Sequence, residues 1–121
     1  MTRRAVVGGV VALALGLAGR GGASDEVTVR GEVVDIQCAT SRGEGGRGLA
    51  HAACALDCAK HGLPLGILAD DALYEIAGDF TANHNAKLLD FVAKVVVATG
   101  ELTEQDGTKR LNVRTIRAAP R

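Results

Sequence analysis

The residues able to do chemistry are crowded between Cys38 and His61. His51-x-x-Cys54-x-x-x-Cys58-x-x-His61 spaces thiols and imidazoles by three and four positions. On an ideal α-helix such spacings bring His51, Cys54, Cys58 and His61 into an arc of about 80°. A thiol–imidazole stripe of this kind can chelate a metal ion. With Cys38, the one thiol outside the stripe, it supplies three thiolates and an imidazole. Cys38, His51, Cys54 and Cys58 are therefore the candidate ligand set. Their chemistry suits zinc, which takes tetrahedral sulfur and nitrogen donors, or cuprous copper, which prefers soft sulfur. Asp35 or His61 could orient a ligand or substitute for one.

The same thiols permit a second reading. In an oxidising compartment Cys38 pairs with Cys54 or Cys58, and the staple stabilises a small domain by about 2–4 kcal/mol. A Cys54–Cys58 bridge is geometrically poor, because residues four apart on a helix sit near the limit of disulfide Cα spacing. A third reading treats the cysteines as small hydrophobes on an Ala-rich helix.

Other chemistries fail on spacing. Covalent haem attachment needs Cys-x-x-Cys-His, whereas here Cys58 is followed by Ala59. Thioredoxin-like exchange needs Cys-x-x-Cys at a helix start. A copper electron-transfer loop needs a Met ligand, and Met1 is the only methionine. The Gly-rich stretch Ser41–Gly48 lacks the Gly-Lys-Ser/Thr ending of a phosphate loop. Ser41 has no nucleophile elbow around it. His84, between Asn83 and Asn85, suits a solvated helix start. No catalytic residue is assigned.

The elements that must position these ligands follow from patterning. Val27–Ile36 alternates β-branched and polar residues and reads as a strand, with Gly31 marking a bulge or bend. Cys38 lies at its end. Leu49–His61 reads as a helix, with Leu49, Ala52, Leu56 and Ala59 on its packing face. Gly62 is placed as its left-handed terminator and Pro64 as a stop. Two short strands, Leu65–Ala69 and Ala72–Ala77, flank the Asp70-Asp71 turn. Asn83 can cap a short helix, His84–Phe91. Lys94–Glu104 and Lys109–Arg117 surround Asp106-Gly107, a strong hairpin signal. The expected fold is mainly β (α+β). It is a small five-stranded OB-like barrel with a helix inserted after the first strand and a short helix before the last hairpin.

The N-terminal segment reads differently. Arg3-Arg4, an apolar run from Ala5 to Ala18 and then Gly21-Gly22-Ala23 outline a signal peptide over residues 1–23. The remaining residues, 24–121, form a single domain. The apolar run is shorter than the roughly 20 residues that span a bilayer, so stable membrane insertion is not expected; an uncleaved anchor is the alternative. Export to the periplasm or medium follows.

Composition narrows the function. The 121 residues balance 14 basic against 14 acidic side chains. Losing Arg3, Arg4 and Arg20 leaves an acidic mature chain. With only Tyr74, Phe80 and Phe91 as aromatics, the stacking platform and basic groove of a nucleic-acid binder are missing. The segments Val29–Asp35 and Val95–Gly107 resemble small exported bacterial proteins with OB-like domains. That resemblance implies the barrel and names no activity. The expected partner is a metal ion or an unknown ligand or protein. The function expected is a non-enzymatic soft-metal module; the alternative is a disulfide-stapled small-ligand or protein-binding module.

Overall fold

A computed structural model of the protein describes residues 25–120. The signal-peptide reading of residues 1–23 lies outside the described residues. Five strands form a closed barrel: β1 (Asp25–Asp35), β2 (Leu65–Leu68), β3 (Leu73–Ala77), β4 (Val95–Gln105) and β5 (Thr108–Ala118). Their order around the barrel is β1-β2-β3-β5-β4. Every pairing is antiparallel except β3 with β5. The fold is the expected small OB-like barrel with helical insertions. Among the described residues, no helix is long and apolar enough to cross a membrane.

Closure depends on the length of β1. Its first part, Asp25 to Glu32, pairs with β4, and its last part, Glu32 to Asp35, pairs with β2. The register runs unbroken through Gly31, so the bulge expected there is absent; the irregularity falls at Thr99/Gly100 on β4. The β4–β5 turn is as the sequence indicates. Asp106 and Gly107 both have positive φ, 53° and 81°, as a two-residue hairpin turn matched to strand twist requires.

Inward-facing aliphatics fill the barrel. Val29 and Val33 of β1, Leu65 and Ile67 of β2, Val96 and Ala98 of β4, and Leu111 and Val113 of β5 join one buried cluster. Tyr74 is the sole aromatic among the buried residues, and its hydroxyl donates to Asp71 Oδ2 at 3.0 Å. With Tyr74 the one buried ring, and Phe80 and Phe91 packed at the edge of the core, small residues let the elements approach closely. Ala55 and Ala59 belong to the same cluster and carry the inserted helix onto the barrel.

The insertion between β1 and β2 differs from the sequence expectation. Helix α1 (Ile36–Arg42) follows β1 directly, and Asp35 is its N-cap, accepting from the Gln37 amide at 3.0 Å. Cys38 thus sits in the first turn of a helix, not at the end of a strand. Two 3₁₀ turns follow, Gly43–Gly46 and Leu49–His51, before helix α2 (Ala52–Lys60). His51 precedes the α-helix and is not within it. The tighter 3₁₀ turn also rotates Leu49 away from the expected packing face, leaving it 83% exposed.

Helix α2 ends as its sequence suggests. Gly62 has φ 83°, its amide donates to the Ala59 carbonyl, and the Leu63 amide donates to the Cys58 carbonyl. This paired arrangement is a Schellman motif. A second lock comes from a distant segment. The sequence suggests a helix over His84–Phe91, but Asn83, His84 and Asn85 have φ of 54°, 55° and 60°. Left-handed backbone therefore interrupts the short turn α3 (Ala82–Asn85), and a 3₁₀ helix runs from Ala86 to Phe91. Asn tolerates this conformation better than most residues. The turn aims the buried Asn85 amide at α2, where Nδ2 donates to the Ala59 and Leu63 carbonyls, both at 3.0 Å. Asn85→Ala removes both bonds and is expected to destabilise the protein by about 1–3 kcal/mol. Thermal unfolding checks this. Asn85→Gly, which keeps the backbone accessible but loses the bonds, should also fall below wild type; an unchanged melting temperature in both variants would contradict the assignment.

Candidate metal centre

The ligands come together because the glycine-rich loop is pinned twice. A Cβ on Gly46 would overlap the Cys38 carbonyl group and lie 3.0 Å from the Ala39 nitrogen. Only glycine allows the loop to pack so closely against the backbone of α1. Two residues later the Gly48 amide donates to Glu32 Oε2 on β1 at 2.6 Å. The chain then turns through Leu49–His51 and delivers His51 to Cys38. Cys54 follows from the first turn of α2. A 3₁₀ turn and a helix start, rather than one continuous helical stripe, set the mutual placement of His51 and Cys54.

Donor atoms of Cys38, His51 and Cys54 all lie within 4.8 Å of one another. A tetrahedral zinc with Zn–S bonds near 2.3 Å places its sulfurs about 3.8 Å apart. The three donors therefore need only a modest contraction to close on an ion. Their burial is graded: His51 is 6% exposed, Cys38 is half-buried and Cys54 is exposed. His51 Nε2 is buried and has no hydrogen-bond partner among the described residues. A buried imidazole nitrogen without a partner is costly. Metal coordination beside two thiols is one arrangement that offsets the cost.

Asp35 is 1% exposed and stands behind the thiols. Its Oδ1 serves the α1 cap, whereas Oδ2 has no well-formed hydrogen bond. The carboxylate nevertheless lies close enough to both Cys38 and Cys58 to favour their protonated forms. A hydrogen bond toward Asp35, with burial and the carboxylate's charge adding to it, pushes the Cys38 thiol up from its ordinary range. The same causes in the same order push Cys58 up to about 12. Asp35 is the residue that spacing undervalued. Its position one residue before Ile36 is an N-cap signal, and an N-cap carboxylate necessarily faces the first turn that bears Cys38.

No protein-family model, curated protein or solved structure matches this chain. The site's own geometry must carry the reading. Of the four ligands expected from sequence, the structure gathers Cys38, His51 and Cys54; the group within 4.8 Å does not include Cys58. His61 is exposed, and its Nδ1 lies 2.8 Å from the Asp57 carbonyl oxygen of its own helix. His84 rests its ring against Gly62 rather than the thiols. All three cysteines are free, so the disulfide from Cys38 to Cys54 or Cys58 is not present. Asp35 and the imidazole of His51 share the space around the thiols, and the sulfurs are gathered as separate donors rather than as a bonded pair.

A groove of about 560 Å³ lies elsewhere, against Phe80, Lys87, Asn112 and Arg114. Its charged groups are exposed, and its two cations are already engaged: Arg114 donates to Glu26 at 2.7 Å, and the Lys87 ammonium lies 5.6 Å from the Phe80 ring centroid. Surface pairs of this kind contribute little. The groove has volume without buried polar groups, and the thiol cluster has the reverse. Chemistry favours the cluster.

Proposed function

We propose that this protein is an exported, non-enzymatic OB-like module that holds a soft metal ion, zinc or cuprous copper, in a structural or carrier role. The observation that carries the reading is the convergence of Cys38, His51 and Cys54 within 4.8 Å, where His51 also has a buried ring nitrogen without a hydrogen-bond partner among the described residues. Two sulfurs and a nitrogen are the donors that zinc and cuprous ions take from proteins. Export is supported by the sequence of residues 1–23 and by the resemblance to small exported proteins.

Native mass spectrometry after incubation with zinc or with a cuprous complex tests binding directly. One ion per chain, lost on denaturation with three titratable thiols recovered, is the expected result. A mass lower by two hydrogens with one free thiol overturns the proposal in favour of the disulfide.

Metal uptake should also depend on pH, with a defined sign. The Cys38 thiol is pushed up, so in the metal-free protein it carries a proton at neutral pH. An incoming ion must displace that proton, and acid therefore opposes binding. Zinc affinity is expected to weaken by about tenfold per pH unit for each thiol proton displaced. Isothermal titrations at two pH values, in buffers of different ionisation enthalpy, report both the slope and the protons released. An affinity independent of pH would exclude the thiols as ligands.

A further inference from the structure

Three protein donors leave a zinc-like ion one ligand short of the four it ordinarily takes. Cys58 and Asp35, the other candidates for the missing position, lie outside the group of donors within 4.8 Å of one another. Asp35 is fixed by its capping bond from the Gln37 amide and by near-complete burial. Cys58 lies a full helical turn beyond Cys54 on α2, whose end is held by the Schellman motif and by Asn85. Bringing the Cys58 sulfur into the group works against a helix anchored at its C-terminus. On the opposite side, Cys54 is exposed, so a bound ion can be approached from solvent past that sulfur.

We infer that a metal ion held by Cys38, His51 and Cys54 keeps one exchangeable coordination position, which takes a small thiol from solvent, while Cys58 stays outside the coordination sphere. This rests on the proposed metal-binding role and deepens it toward a carrier. An ion already bound by two sulfurs accepts a third soft donor readily. A replaceable ligand at an accessible face is also what passing an ion to another thiol-bearing molecule requires. The exchange is a simple substitution: the thiol sulfur bonds to the metal as its proton leaves to buffer, and the ligand it displaces, a water, departs.

Cobalt(II) titration of the full-length protein provides the test, because the near-ultraviolet sulfur-to-cobalt band grows with the number of coordinated thiolates. The expected band corresponds to two thiolates and is unchanged in Cys58→Ser. Saturating 2-mercaptoethanol should raise it by about half, as a third sulfur joins the two from the protein. Cys58→Ala, monitored by circular dichroism and thermal unfolding, guards against an effect of the serine hydroxyl. Loss of about one third of the band in both folded Cys58 variants makes Cys58 the fourth ligand and overturns the inference, as does a band unresponsive to added thiol. Failure of wild type to bind cobalt at all sinks the metal-binding role itself, so the two failures are distinct.

Discussion

Stripping zinc from the protein with a chelator should lower its melting temperature by about 10–20 °C when the metal had been present at roughly a hundredfold excess over its dissociation constant. The magnitude follows from linkage. A ligand bound only to the native state at that excess stabilises it by about 2.7 kcal/mol. For a domain of this size each kcal/mol shifts the midpoint by about 4–8 °C. Cys38 and His51 are joined only through the glycine-rich loop and belong to different elements, so an ion bridging them ties α1 to the start of α2. Cys38→Ala combined with Cys54→Ala removes both sulfurs of the group. The double variant should take up no zinc, melt near the chelated wild type, and show no further change when chelator is added. The Ala side chains fit, because Cys54 is exposed and Cys38 half-buried, so neither substitution opens a core cavity. Scanning calorimetry with and without chelator measures all four states. Equal midpoints for loaded and chelated wild type would mean that the ion, if bound, does not hold the insertion in place.

How much of this was legible in the sequence depended on whether a signal was local. The Asp106-Gly107 turn and the Gly62 terminator were readable because each is fixed by backbone conformations that few residues adopt. The long strands of the last hairpin agree with expectation to within a residue at each end. The failures are equally physical. Asn83, His84 and Asn85 look like a helix start, and only the demand for a donor at the Ala59 and Leu63 carbonyls explains why they turn left-handed. Helix α1 was hidden because its residues, Ile36–Arg42, have mixed propensity and run into the glycines; its capping Asp35 was the one available sign. For the site, helical spacing nominated two of the three residues that the structure brings together, His51 and Cys54, but with the wrong geometry. It treated His51, Cys54 and Cys58 as one stripe, whereas the change from 3₁₀ to α-helix at His51 and Ala52 reorients the first relative to the other two. Meeting of Cys38 with His51 is a tertiary event set by Gly46, and periodicity carries no information about it.

That dependence makes Gly46 the residue through which site and fold can be separated. Gly46→Ala is expected to weaken zinc binding by at least tenfold while leaving the barrel formed. A Cβ there meets the Cys38 carbonyl group and the Ala39 nitrogen, which are backbone atoms of α1 and cannot swing aside as a side-chain tip does. Relief requires the loop or α1 to move, at a cost of about 1–3 kcal/mol typical of overpacking. Either movement separates Cys38 from His51, and a loss of about 1.4 kcal/mol in binding free energy is already tenfold. The strands lie outside this contact: β1 is paired with β2 and β4 through registers that do not involve Gly46. Far-ultraviolet circular dichroism should therefore keep its β signature while the zinc titration shifts. Gly45→Ala is the matched control, since the nearest atom to its added Cβ is Arg42 Cβ at 4.0 Å; it should bind zinc as wild type does. If both variants bind equally well, the close approach at Cys38 does not set the ligand geometry, and the loop reaches the thiols by some other constraint.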